Sequence, residues 1–125
     1  MQTVVLSMRR KAIAQSLMQM LQEKVDFRIY HVIDYECTGM VVKNREANLA
    51  LIEVAEAGAC DVRYCLGLCA RLRQEAPACK LMLMCSEQDK NSIHEVVKAK
   101  KKRQIDEFVF YDTSVDYLAT KLLSM

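Results

Sequence analysis

The sequence predicts a doubly wound α/β sandwich, and three observations carry that expectation. Short apolar runs of strand type alternate with amphipathic stretches of helical period, strand then helix, five times over. Connections between them are short, and no hairpin signal separates two strand-like runs. The run Leu49-Ala50-Leu51-Ile52 is continuously apolar, as a strand covered on both faces would be. Such alternation implies parallel strands joined by right-handed helical crossovers.

The elements follow in order. "TVVLS" (3–7) is β-branched and apolar, a first strand. "RRKAIAQSLMQMLQEK" (9–24) places Ile13, Leu17, Met20 and Leu21 at helical spacing. "FRIYHVID" (27–34) alternates and reads as a second strand. "ECTGMVVKNRE" (36–46) is a short, weak helix interrupted by Gly39. "NLALIE" (48–53) is the third strand. "DVRYCLGLCARLRQEA" (61–76) is an amphipathic helix, with Asp61 as N-cap and Pro77 beyond its end. "CKLMLMC" (79–85) is the fourth strand. "KNSIHEVVKAKKKRQ" (90–104) is a helix turning Ile93, Val96 and Val97 inward. "EFVFY" (107–111) and "SVDYLATKLLSM" (114–125), capped by Ser114, complete the pattern. Five strands in a chain of 125 residues suit the flavodoxin-like order 2-1-3-4-5, as one domain spanning residues 1–125.

The totals exclude several classes. Apolar residues make up 52% of the chain and charged residues 27%, enough apolar content for a core. No apolar stretch approaches the ~18 residues of a spanning helix. The N-terminus is apolar before it is basic, the wrong order for a secretory signal. The expectation is a soluble, cytoplasmic protein with no membrane partner. Net charge is +2 with both signs spread along the chain, which by itself decides nothing about nucleic acid.

There are six cysteines: Cys37, Cys60, Cys65, Cys69, Cys79 and Cys85. Four fall inside apolar periodic segments, so reduced core thiols are expected rather than disulfides. Zinc is the sharper alternative. Cys65 and Cys69 share a helix face with Cys60 just before, but there is no CxxC pair, and His31 and His94 lie elsewhere. No metal or other cofactor is expected.

In such a sheet ligands bind beyond the carboxyl ends of the strands. The residues there are Ser7 and Met8, Glu53, Cys85 and Ser86, and Tyr111. At these positions the chain resembles a response-regulator receiver domain, over nearly its whole length. "NLALIEV" is similar to the family's third strand, which ends on the phosphorylated aspartate. "KLMLMCSEQD" resembles the fourth, which ends on threonine or serine. "IDEFVFYD" resembles the fifth, which leads to a lysine and a proline.

The resemblance implies a fold and also shows what has changed. The acidic pair that holds Mg²⁺ in the family reads Ser7 and Met8. The acceptor reads Glu53, and the hydroxyl position reads Cys85, with Ser86 next. The lysine and proline read Tyr111 and Asp112. Mg²⁺ wants hard oxygen ligands in a near-octahedral array, and a thioether with a neutral hydroxyl is a poor cage. Without metal or lysine nothing offsets the charge of a transferring phosphoryl group. A carboxylate one methylene longer is also displaced from the attack position. The expected chain is a degenerate member, a pseudo-receiver, in which the pocket is not phosphorylated.

Three positions keep open alternatives. Glu53 is a solvated strand end, a fixed acidic group standing in for phosphoaspartate, or a contact for a ligand or partner. Phe108 falls at the family's switch aromatic and is either an ordinary strand residue or a frozen switch with room left by Cys85. The basic run Lys98, Lys100, Lys101, Lys102 and Arg103 makes the segment before the fifth strand longer than is usual in the family, by about one helical turn. That run is a solvated helix end favoured by the helix dipole, a face for an acidic protein partner, or a phosphate-backbone contact. No aromatics are interleaved with it, so nucleic acid is not expected as a partner of this domain alone.

Enzyme signatures are absent: no GxGxxG, P-loop or GxSxG is present. The expected function is a signalling or transcription-control domain, not an enzyme, acting through protein contacts. Homodimerisation through the helix 4, strand 5, helix 5 face is one such contact. The alternatives are a small-ligand or redox sensor using Cys85 or Ser86, and the receiver half of a transcription regulator.

Overall fold

The computed structural model describes residues 2–24, 26–110 and 114–125. Five strands, β1 (Gln2–Ser7), β2 (Phe27–Val32), β3 (Leu49–Glu53), β4 (Lys80–Cys85) and β5 (Glu107–Phe110), form one parallel sheet in the order β2-β1-β3-β4-β5. The helices are α1 (Lys11–Lys24), α2 (Thr38–Asn44), α3 (Val62–Glu75), α4 (Lys90–Lys101) and α5 (Val115–Leu123). This is the flavodoxin-like arrangement the alternation implied. No helix among the described residues is long and apolar enough to cross a membrane.

Side-chain alternation along the strands builds two apolar layers. One packs Val5, Ile52, Leu81 and Leu83 against α2, α3 and α4, through Val42, Leu68, Leu72 and Val96. The other packs Val4, Leu6, Leu51 and Met82 against α1 and α5, through Leu17, Leu21, Leu118 and Leu122. β3 is buried at all five positions, which explains its unbroken apolar run. The six cysteines are thiols, not joined in disulfides; Cys65, Cys69, Cys79 and Cys85 are buried in the first layer, and Cys37 and Cys60 are partly exposed.

Several helix ends differ from the sequence expectation for identifiable reasons. The second helix splits: Asp34 accepts the Glu36 N–H and starts a 3₁₀ turn, Tyr35–Cys37, before α2 begins at Thr38. α4 stops at Lys101 rather than Gln104. There the Gln104 N–H returns to the Ala99 carbonyl and the Arg103 N–H to that of Lys100, with Arg103 left-handed at φ 61°. α2 ends likewise: Ala47 N–H to Val42, Glu46 N–H to Lys43, Glu46 at φ 51°. Both are Schellman closures, which glycine usually makes because it has no Cβ to clash.

Candidate functional site

The strand tips at the carboxyl edge carry the residues singled out in the sequence. Ladder register sets them side by side: Ser7 lies opposite Ile52, Glu53 opposite Met84, and Cys85 opposite Phe110. Ser7, Met8, Glu53, Cys85 and Ser86 are all buried. Tyr111 and Asp112 lie outside the described residues.

Among the described residues, Ser7, Met8, Glu53 and Ser86 each have a hydrogen-bond partner outside this group. The Ser7 hydroxyl is 2.7 Å from that of Thr38 at the start of α2. Met8 turns the other way, into the α1–α5 layer, and its carbonyl accepts the His31 Nε2–H at 2.8 Å. Cys85 packs in the α2–α3–α4 layer, fully buried. The Ser86 hydroxyl accepts the Gln88 N–H at 3.1 Å, tightening the turn that leads to Asp89, the N-cap of α4.

Glu53 is the organising group. It is only 6% exposed, so it is no solvated strand end. Its Oε1 accepts the N–H groups of Arg9 at 2.8 Å and Arg10 at 3.1 Å. Its Oε2 pairs with the Arg10 guanidinium Nε at 3.2 Å. Arg9 and Arg10 lie just before α1, which begins at Lys11, so the carboxylate from β3 holds the chain where it leads into that helix. The Glu53 carbonyl is held separately, accepting the Tyr35 hydroxyl at 2.6 Å and lying 3.7 Å from the Cys65 thiol. Burial first, and then the negative charge of Glu53, push the Tyr35 hydroxyl far above the ordinary tyrosine pKa, so it is a neutral donor.

Arg10, Tyr35 and Thr38 are the participants that sequence reasoning missed. The adjacent basic pair directly after β1 was the available signal for Arg10. Tyr35 and Thr38 sit in a segment read only as a weak helix, and nothing in its periodicity singled them out.

A second feature lies on the side of the sheet edged by β5. A groove of about 350 Å³ runs between α4 and α5 and is lined by Lys100, Glu107, Phe108, Phe110, Tyr117 and Lys121. Phe108 is half-buried, edge-on to Phe110 with ring centroids 5.9 Å apart, and the Lys100 ammonium lies 5.7 Å from its ring centre. The basic run does not act as one patch. Lys100 pairs with Glu107 at 2.7 Å, and Lys98 lies 4.0 Å from Glu95. Lys101, Lys102 and Arg103 are exposed at the end of α4.

No protein-family profile matches the sequence, and no curated protein matches it. Solved structures do match its fold. One is a LuxR-family DNA-binding response regulator from Staphylococcus aureus, 12% identical, with a TM-score of 0.78, covering 99% of this chain and 98% of that one. A CheY-like response regulator receiver domain from Methanospirillum hungatei is 14% identical, with a TM-score of 0.78 and coverage of 99% and 92%. A third belongs to a family of redox sensors in the streptococci evolved from two-component response regulators. It is 16% identical with a TM-score of 0.79, and it is matched over 99% of this chain but 50% of its own length. The fold is thus that of response-regulator receiver domains.

Proposed function

We propose that this chain is a receiver-like regulatory domain that works through protein contacts without being phosphorylated. One observation carries the reading: both oxygens of Glu53 are engaged by Arg9 and Arg10, the two residues that lead into α1. A phosphoryl acceptor needs a free carboxylate oxygen aimed at the incoming phosphorus, and a metal beside it. Here the donors around that carboxylate are positive. The residues do not fit Mg²⁺: Ser7 is paired with Thr38, Met8 offers a buried thioether, and Arg10 stands against Glu53. Arg10 and the two N–H groups supply internally the charge that a metal supplies in active receivers, so Glu53 works as a permanent acidic fixture joining β3 to α1. The output face is the groove over β5, used for a protein partner or a second copy.

The test is incubation with acetyl phosphate, or with beryllofluoride, in the presence of Mg²⁺. The expected outcome is no gain in intact mass and no shift in amide NMR spectra. A stable mass gain on a peptide containing Glu53, or Mg²⁺-dependent shifts of the Glu53 and Arg10 amides, would refute the reading.

A second reading, a redox sensor, is favoured by the likeness to the streptococcal sensors and by the partial exposure of Cys37 and Cys60. Full burial of Cys85 counts against that thiol as the sensing group. Mild peroxide followed by intact-mass measurement separates the two: a discrete oxidation step on Cys37 or Cys60 supports the sensor. A third, the receiver half of a transcription regulator, draws on the DNA-binding protein among the structural neighbours, and the flanking coding sequence decides it.

A further inference from the structure

The turn that leaves β3 closes on itself just before α3. The Ala55 N–H donates to the Cys60 carbonyl at 2.9 Å, and Gly58, at φ 93°, takes the left-handed position within the turn. Asp61 follows as the N-cap of α3, its carboxylate accepting the Tyr64 N–H at 3.0 Å. Cys60 is therefore the residue before the cap, and Cys65 is the fourth residue of the helix. Those are the two positions whose side chains meet across a helix start in a hydrophobic staple. Here both are thiols. Cys60 packs against the apolar layer that holds Cys65, and the Cys65 Sγ lies 3.5 Å from the Cys60 carbonyl oxygen.

The two thiols differ in access. Cys60 is partly exposed, whereas Cys65 is fully buried. Burial pushes the Cys65 thiol far above the ordinary cysteine pKa, so it stays protonated and shut away from solutes. An oxidant arriving from solvent meets Cys60 first, with a second thiol directly behind it. Cys65 also connects this turn to the strand tip. Its thiol points to the Glu53 carbonyl at 3.7 Å, the same oxygen that accepts the Tyr35 hydroxyl.

We propose that Cys60 and Cys65 form a thiol-oxidation site, closing to a disulfide that registers peroxide at the end of β3. Peroxide oxidises the Cys60 sulfur to a sulfenic acid; its O–O bond breaks and one water leaves. The Cys65 sulfur then attacks the Cys60 sulfur. The S–O bond breaks, the S–S bond forms, and the departing hydroxide takes the Cys65 proton to leave as a second water. Two thiols together lose two electrons, and one peroxide is reduced to two waters. The bridge removes the Cys65 S–H, so the Glu53 and Cys60 carbonyls lose that donor, while the Tyr35 hydroxyl and the Ala55 N–H remain on them. The turn becomes covalently tied to α3. The inference rests on the redox-sensor reading of this chain, and it names the pair and its chemistry.

The test treats the whole chain with a small molar excess of hydrogen peroxide, blocks the remaining thiols and maps the tryptic peptides. Trypsin cuts after Arg45, Arg63 and Arg71, so Cys60 and Cys65 fall in separate peptides, 46–63 and 64–71. The expected product is these two peptides joined, with fragment ions placing the bond on Cys65 rather than Cys69. Intact mass should fall by two hydrogens, and the amide signals of Glu53 and of residues 55–65 should shift and return with dithiothreitol. Cys65→Ser should stop at the Cys60 sulfenic acid, which dimedone traps. Cys60→Ser should leave Cys65 unoxidised at the same dose. Oxidation confined to Cys37, or oxidation of Cys60 that ends without a bridge to Cys65 or in a crosslink to a second chain, overturns the pair and leaves the sensor reading standing. No oxidation of any cysteine overturns both. Oxidation of Cys65 in Cys60→Ser as fast as in the wild type, or a bridge that leaves the Glu53 amide unmoved, overturns the proposal as well. Should Cys65→Ser not fold, the wild-type peptide map and Cys60→Ser, altered only at a partly exposed position, decide alone.

Discussion

Arg10 holds Glu53 twice, through its own N–H to Oε1 at 3.1 Å and through its guanidinium to Oε2 at 3.2 Å. The two grips differ in worth. The guanidinium side is half-exposed and screened by water, whereas the carboxylate it meets is buried. Glu53→Ala, which strands the N–H groups of Arg9 and Arg10, is expected to cost about 2 kcal/mol. Arg10→Met, which keeps both N–H groups, should cost less than about 1 kcal/mol. Urea denaturation at neutral pH checks both; equal losses would place the energy in the guanidinium and contradict the view that Glu53 acts through the two N–H groups.

Tyr35→Phe removes the buried donor to the Glu53 carbonyl and should cost about 1–2 kcal/mol. The folded pKa of this hydroxyl is raised, so its stabilising effect is complete below the ordinary tyrosine pKa and declines as pH climbs above it. The wild-type minus Tyr35→Phe stability difference should therefore shrink in strongly alkaline solution. A difference that grows there would reverse the sign.

Thiol reactivity should sort by depth. Burial pushes Cys69 up to about 12 and Cys79 up to about 11, against an opposing pull from Arg73 in both, and drives Cys65 higher still. Near pH 8 iodoacetamide should therefore modify Cys37 and Cys60 first, and the buried thiols only after denaturant is added. Peptide mass mapping reads the order; early labelling of Cys69 would show that the α3 layer opens readily.

Glu107 gives the acid limb. Partial burial works to raise its pKa, but hydrogen bonds from Lys100, the Phe108 N–H and Lys121 outweigh it and hold the carboxyl below the usual range. Its contribution to stability is present above the ordinary glutamate pKa and is lost as pH falls through the lowered folded value. Glu107→Gln should flatten that part of the stability–pH curve and leave the alkaline side unchanged. An unchanged acid limb would mean the clasp contributes nothing to folding.

Arg103→Gly and Glu46→Gly should each stabilise the fold by up to about 1 kcal/mol, because each replaces a side chain in a left-handed position. Thermal melts decide this. A loss at Arg103 would show that its side chain makes a contact worth more than the backbone strain.

The fold was legible because it depends on periodicity, and periodicity survives substitution. Leu49 to Ile52 reads as a doubly covered strand whatever the tip residue does. Helix ends were less legible where the usual punctuation was missing: Arg103 and Glu46 do the work of glycine, and the lysine-rich pattern ran on past the true stop. The site was legible as positions and not as contacts. Strand order brought Ser7, Glu53 and Cys85 to one edge, but alternation then turned Ser7 and Cys85 to one layer and Met8 to the other. Glu53 found its cation in Arg10, a neighbour across the sheet rather than along it, and no local spacing encodes such a meeting.

The Ser7–Thr38 hydroxyl pair has a mechanical consequence. Shut away from water, neither oxygen can leave without stranding the other, so the first turn of α2 is moored to the tip of β1. Its last turn has a solvent-facing tether, Lys43 to Glu75 at 3.6 Å. Amide exchange in this helix should therefore begin at Asn44 and travel backward, and a tug on the protruding Met40 reaches the tip of β1 through this hydroxyl pair as well as through the packing of Val42.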